Sequence, residues 1–127
     1  MPPATALLLH GFTSGPASMW RFREWLAELG YQAEARAQLG HGGRGPAADY
    51  SLAALAADNL AMGDHDLVVG HSMGGATATL ATARQPKWAG RLVLVDPAWR
   101  FPTADQAADA KREELAALDR DAGDIRA

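Results

Sequence analysis

Apolar residues gather in four short runs along the chain: Ala6-Leu7-Leu8-Leu9, a weaker alanine-rich stretch from Tyr31 to Gln38, Asp66-Leu67-Val68-Val69, and Arg91-Leu92-Val93-Leu94-Val95. Runs of this length bounded by turn residues predict strands, and the first, apolar throughout, predicts one buried on both faces. Between the runs the spacing of apolar residues becomes helical. Met19, Phe22, Leu26 and Leu29 share one face, with Pro16 in the opening turn and Gly30 as a C-terminal cap. Ser51 is placed to cap a second helix that carries Leu52, Leu55, Ala56 and Leu60 and ends near Gly63; a third spans Met73 to Arg84 ahead of Pro86. This alternation predicts an α/β domain with a mostly parallel open sheet and, through right-handed crossovers, helices on both faces.

Beyond Trp99 the pattern changes. From Ala104 onward seven acids and four bases surround a thin apolar face of Ala104, Ala108, Leu115, Leu118 and Ala122, which predicts a half-exposed helix fraying into Asp121-Ala122-Gly123-Asp124. The chain thus divides into a four-stranded core over residues 1–98 and a helical segment over 99–127. With 48% hydrophobic and 21% charged residues it reads as globular, and a formal charge of -3 gives no reason to expect a nucleic-acid partner. The absence of cysteine removes disulfides, thiolate metal sites and a cysteine nucleophile. His10, His41 and Asp96 lie on separate loops without ligand spacing, so neither metal nor cofactor is implied. No basic flank or apolar span marks a signal peptide or membrane segment, which makes a cytoplasmic location the default.

The chemistry concentrates where the strands end. Gly70-His71-Ser72-Met73-Gly74 follows a strand and opens a helix, and glycines two before and two after the serine let strand and helix crowd together. His10-Gly11-Phe12, Gly40-His41-Gly42 and Asp96-Pro97 end the other strands at the same carboxyl edge, where ligands of such sheets collect. A serine nucleophile needs a base, an acid to orient it, and N–H donors for an oxyanion. Met73 N–H, at a helix N-terminus, and Phe12 N–H, after the first strand, are placed to be those donors.

In this order and at these intervals, residues 6 to 97 resemble the α/β-hydrolase fold family, in its serine-nucleophile branch and over its N-terminal part only. The resemblance implies that Ser72 is the nucleophile, that Phe12 and Met73 form the oxyanion hole, and that His10, Gly11, Gly70 and Gly74 support it. It also implies that the strands correspond to the family's third to sixth, with the first hairpin absent. Asp96 is a candidate acid: some members carry it at this strand end, although more place it one strand later. The stretch after the fourth strand often begins a lid in this family. The family order of nucleophile, acid and histidine is broken here, because no histidine follows His71.

Of the four histidines, His10 braces the oxyanion turn, His41 sits in a glycine loop at the pocket rim, and His65 precedes its strand at the opposite end of the sheet. His71 is the variable residue of the elbow, directed away from the serine. The implied function is hydrolysis of ester, thioester or amide bonds of a small hydrophobic substrate through an acyl-serine. The part bearing the catalytic histidine is missing, so the 127-residue chain alone, read as truncated within its lid, is expected to be inactive. Phe12, Trp20 and Trp99 suggest an apolar pocket, and the fourth strand would leave an apolar sheet edge open to self-association. The alternative is a non-catalytic binding or interaction module derived from the same fold. A phosphate-binding fold lacks its G-x-x-x-x-G-K-[ST] loop here.

Overall fold

A computed structural model describes residues 2–98 and 104–126. Four parallel strands, β1 (Thr5–Leu9), β2 (Gln32–Arg36), β3 (His65–His71) and β4 (Ala89–Val95), form one sheet in the order β2-β1-β3-β4. The helices are α1 (Trp20–Glu28), α2 (Leu52–Ala61), α3 (Met73–Arg84) and α4 (Ala104–Arg126). None of the described helices is long and apolar enough to cross a membrane.

The central strands explain themselves. Every residue of β1 after Thr5 is buried, as is the stretch from Leu67 to Gly70 of β3, so the period-two alternation sends side chains into two separate cores. Leu7, Leu9 and Val68 pack with Ala56 of α2, Ala78 and Ala81 of α3, and Trp88; Ala6, Leu8, Leu67 and Val69 pack with Met19 and Leu26 beneath α1. A fully buried leucine stabilises by about 1.5–3 kcal/mol. Both sheet faces are therefore covered, with α1 on one and α2 and α3 on the other. Ser51 Oγ accepts from Ala54 N–H at 3.1 Å, which fixes the start of α2, and Gly63 at φ 89° ends it.

Four expectations need correction. The first helix opens with a 3₁₀ turn, Pro16–Met19, and closes at Glu28, so Leu29 falls beyond its face and is 75% exposed. β2 stops at Arg36, which puts Gln38 in the loop rather than the strand, yet fully buried. β4 begins two residues early, at Ala89, and forms the sheet edge, with Val93 44% exposed. Helical backbone continues through the Asp121–Asp124 stretch to Arg126 instead of fraying. The expected aromatic contribution of Trp99 lies outside the described residues.

The crossing of α3 over the sheet leaves no room for side chains at its first turn. A Cβ on Gly70 would sit 2.5 Å from the Gly74 carbonyl oxygen, one on Gly74 would run into the Leu9 carbonyl, and one on Gly75 would lie 2.8 Å from Pro97 Cβ. Most of these obstacles are backbone atoms, which cannot swing aside. Gly70→Ala is therefore expected to lower unfolding free energy by about 1–3 kcal/mol in urea denaturation. Gly43→Ala, where a Cβ meets nothing within 4 Å, should stay within about 0.5 kcal/mol of the parent. Equal effects of the two substitutions would refute the packing account.

Candidate active site

Ser72 joins β3 to α3 at φ 52°, ψ -115°. Among the described residues the other non-glycine positions with positive φ are Thr13 at 61° and Asp96 at 46°, so the strained residues follow β1, β3 and β4 at the carboxyl edge. Such conformations cost about 1–3 kcal/mol each and persist only where surroundings dictate them. At Ser72 the dictation is explicit. Its N–H donates to the Val95 carbonyl at 3.1 Å, and its own carbonyl accepts from Gly75 N–H at 2.9 Å and Ala98 N–H at 3.0 Å. With the backbone so held, the side chain is half-buried, and Oγ has no hydrogen-bond partner among the described residues.

The turn after β1 reaches this serine. A Cβ on Gly11 would lie 3.4 Å from Ser72 Cβ and 3.6 Å from His71 Nδ1, so only a residue without a side chain sits comfortably in that gap. The N–H groups of Phe12 and Met73 donate to no acceptor among the described residues, and Met73 opens the twelve-residue α3. Both N–H groups are thus unsatisfied among the described residues, that of Met73 at a helix N-terminus.

His10 and His41 are both buried, with ring centroids 5.1 Å apart. His10 Nδ1 lies 2.8 Å from the Gly11 carbonyl and must donate to it, while Nε2 accepts the Gln38 N–H at 3.0 Å. His41 repeats the arrangement, donating from Nδ1 to the Leu39 carbonyl at 2.9 Å and accepting the Thr13 N–H on Nε2 at 3.2 Å. Both rings are thereby fixed as the neutral Nδ1–H tautomer, with no lone pair left for a serine proton. Burial lowers the pKa of each from 6.5. The carbonyl hydrogen bonds at Gly11 and Leu39 oppose that shift; the neighbouring His41 and the Lys111 charge add to it for His10, and for His41 Lys111 adds while Glu114 opposes.

Of the remaining histidines, His65 opens β3 at the far end of the sheet and bonds the Gly63 carbonyl at 2.9 Å. His71 closes β3, half-buried, with Nδ1 beside Gly11. Asp96 directly follows β4, exposed, and its carboxylate bonds to nothing among the described residues.

Several residues that hold the site were not singled out from sequence. The buried Gln38 donates from Nε2 to the His10 carbonyl at 2.6 Å, and its Oε1 accepts from Asn59 Nδ2 at 3.1 Å and Thr77 Oγ1 at 3.0 Å. Arg44 grips Asp58 through two contacts of 2.7 and 2.8 Å, which raises its pKa, and Asp58 also accepts the Leu39 N–H at 3.1 Å. The glycine loop is thus tied to α2. Tyr50 fills the space that a side chain at Gly40 would need and meets the rings of Phe12 and His41 edge-on. The only sequence signals were isolated polar residues in apolar surroundings, and no spacing rule pairs Gln38 with Asn59 or Thr77. A cleft of about 180 Å³ is lined by His41, Tyr50 and the glycine loop together with Lys111 and Leu115 of α4. Trp20, expected in an apolar pocket, is 52% exposed on α1 under Arg21.

A family model described as "Alpha/beta hydrolase family" matches residues 6–126. The chain is 40% identical over 102 residues to Lipase LipV of Mycobacterium tuberculosis, a match that covers 76% of this chain and 38% of that protein. Among solved structures, a probable hydrolytic enzyme from Pseudomonas aeruginosa PAO1 superposes with a TM-score of 0.65 at 34% identity, over 74% of this chain and 32% of that one. A marine microorganism esterase gives 0.72 at 25% identity, over 94% and 48%. With its parallel sheet, strained serine turn and match over most of its length, the chain belongs to the α/β-hydrolase family. It spans between 32% and 48% of the length of these relatives.

The histidine geometry makes stability depend on pH. A pKa lowered in the folded state means that the unfolded chain binds more protons below 6.5, so the stabilisation is complete above 6.5 and is lost as pH falls toward the folded values. Urea denaturation between pH 7.5 and 5 should show falling stability, with up to one proton taken up on unfolding for each of the two histidines. In His41→Gln that uptake should drop by up to one proton. An unchanged pH dependence in the variant would contradict the neutral-ring assignment.

Proposed function

We propose that the chain carries the nucleophile half of a serine hydrolase for ester, thioester or amide bonds. The observation that supports this most is the bare Ser72 Oγ on a positive-φ turn, together with the unsatisfied N–H groups of Phe12 and Met73. In this reading Ser72 Oγ attacks the carbonyl carbon and gives its proton to a base, while Phe12 and Met73 N–H hold the oxyanion; collapse expels the alcohol, thiol or amine, which takes up that proton. Water then cleaves the acyl-serine to release the acid. A hydroxyl nucleophile at position 72 argues against the aspartate-nucleophile chemistry of the family's epoxide hydrolases and haloalkane dehalogenases. The half-buried Phe12 ring and the adjoining cleft favour a small, mainly apolar substrate. We read residues 99–127 as the beginning of a lid, since Lys111 and Leu115 of α4 stand over the glycine loop.

The general base is not among the histidines at 10, 41 and 65, each engaged or distant as described, and none of the four is hydrogen-bonded to Ser72. This same observation favours the second reading, a binding module that kept the sheet without catalysis. In the first reading Asp96, exposed directly after β4, is the candidate acid that would orient the base.

Supplying the base from solution separates the two. With p-nitrophenyl acetate the chain alone should react no faster than Ser72→Ala. Added imidazole should then produce a release of nitrophenol in the parent that exceeds Ser72→Ala by about a hundredfold, the scale of general-base catalysis. Identical traces at every imidazole concentration would leave the binding module standing, and full turnover without imidazole would show that the chain already holds its base.

A further inference from the structure

The two oxyanion donors belong to different parts of the chain, and something must set the gap between them. Phe12 lies two residues beyond His10, in the turn after β1; Met73 lies one helical turn before Thr77, on α3. Between His10 and Thr77 stands a single side chain, the amide of Gln38, with no exposed surface. The His10 carbonyl can only accept, so the atom 2.6 Å from it must be the amide nitrogen; Oε1 then faces Thr77 Oγ1 at 3.0 Å and Asn59 Nδ2 at 3.1 Å. The single Thr77 hydroxyl hydrogen is shared between Gln38 Oε1 and the Gly74 carbonyl at 3.2 Å, which ties the amide to the first turn of α3, and Asn59 Oδ1 is left without a partner. The Gln38 main chain contributes too, since its N–H holds His10 Nε2 and so directs Nδ1–H to the Gly11 carbonyl. That carbonyl and the Phe12 N–H share one planar peptide and point in opposite directions, so holding the oxygen aims the hydrogen.

We propose that Gln38 is a positioning residue which, by bridging the His10 carbonyl to Thr77, sets the separation and orientation of the Phe12 and Met73 N–H groups. This rests on the oxyanion reading for its consequence, though not for its geometry. Packing alone does not require an amide at position 38: a methionine fills similar volume without the three polar partners of the amide, while the main-chain N–H keeps its bond to His10. The amide matters because it is rigid, buried and bonded at both ends to the elements that bear the donors.

The test uses the full chain, parent and Gln38→Met, with residual dipolar couplings of the Phe12 and Met73 N–H vectors and the rate of Ser72 phosphonylation by a fluorophosphonate in the presence of imidazole. In Gln38→Met the angle between the two vectors should change while those of β1 and β3 keep their values, and phosphonylation should slow about tenfold or more, part of the loss seen when one oxyanion donor is removed. The methionine variant is also compared with Gln38→Glu, whose carboxyl, when protonated, can donate to the His10 carbonyl again; its vectors should return toward the parent's as pH is lowered. Should Gln38→Met not fold, Thr77→Val keeps the shape, removes one end of the bridge and should move the Met73 vector and slow phosphonylation about threefold to tenfold. Unmoved vectors in a folded Gln38→Met or Thr77→Val overturn the proposal. Moved vectors with no phosphonylation even of the parent leave the positioning role intact and count against the nucleophile reading instead.

Discussion

The whole arrangement depends on how closely α3 approaches the carbonyl ends of β1 and β3. Glycines at 70 and 74 allow main chain to touch main chain, with the helix start pressed against the Leu9 and His10 carbonyls. That contact leaves Ser72 no ordinary conformation: its backbone must turn through positive φ, and hydrogen bonds to Val95, Gly75 and Ala98 hold it there. The strain is thus a consequence of packing and is repaid by the two cores beneath, where Leu7, Leu9 and Val68 on one side and Leu8 and Val69 on the other anchor both strands. A free hydroxyl at the surface and two unsatisfied N–H groups are what remains when the backbone requirements have been met.

Around that centre the polar groups are spent on shape. From sequence His10 reads as a brace of the turn after the first strand and His41 as part of a glycine loop at the pocket rim. In the fold each uses both ring nitrogens on main-chain partners, and burial keeps the rings neutral. The Arg44–Asp58 pair likewise fastens the glycine loop to α2 instead of meeting a ligand. Supports engaged in this way restrict the turn after β1 and the glycine loop, and the oxyanion role proposed for Phe12 and Met73 would call for such preorganisation.

Much of this was legible in the sequence because the signals were local. The apolar runs located all four strands, the bounds of α3 agree residue for residue, and the glycine spacing around Ser72 foretold the crowding found there. What depended on distance in space was not legible. β2 is an edge strand with alternating exposed residues, so its alanine-rich pattern overstated its length and hid the buried Gln38 just beyond it. Leu29 fitted a helical period, yet the helix ends before it, because Gly30 at φ 91° turns the chain away. The bridge from Gln38 to Asn59 and Thr77 joins residues 21 and 39 positions apart, beyond the reach of any periodicity.

The central claim is that strained backbone at the elbow makes Ser72 the one serine of this chain equipped to attack. It is tested most directly by treating the protein with a fluorophosphonate and imidazole and locating the adduct by peptide mass mapping. The account predicts a single adduct on Ser72, absent in Ser72→Ala. No adduct, or one distributed over Ser14, Ser18 and Ser51, would contradict it.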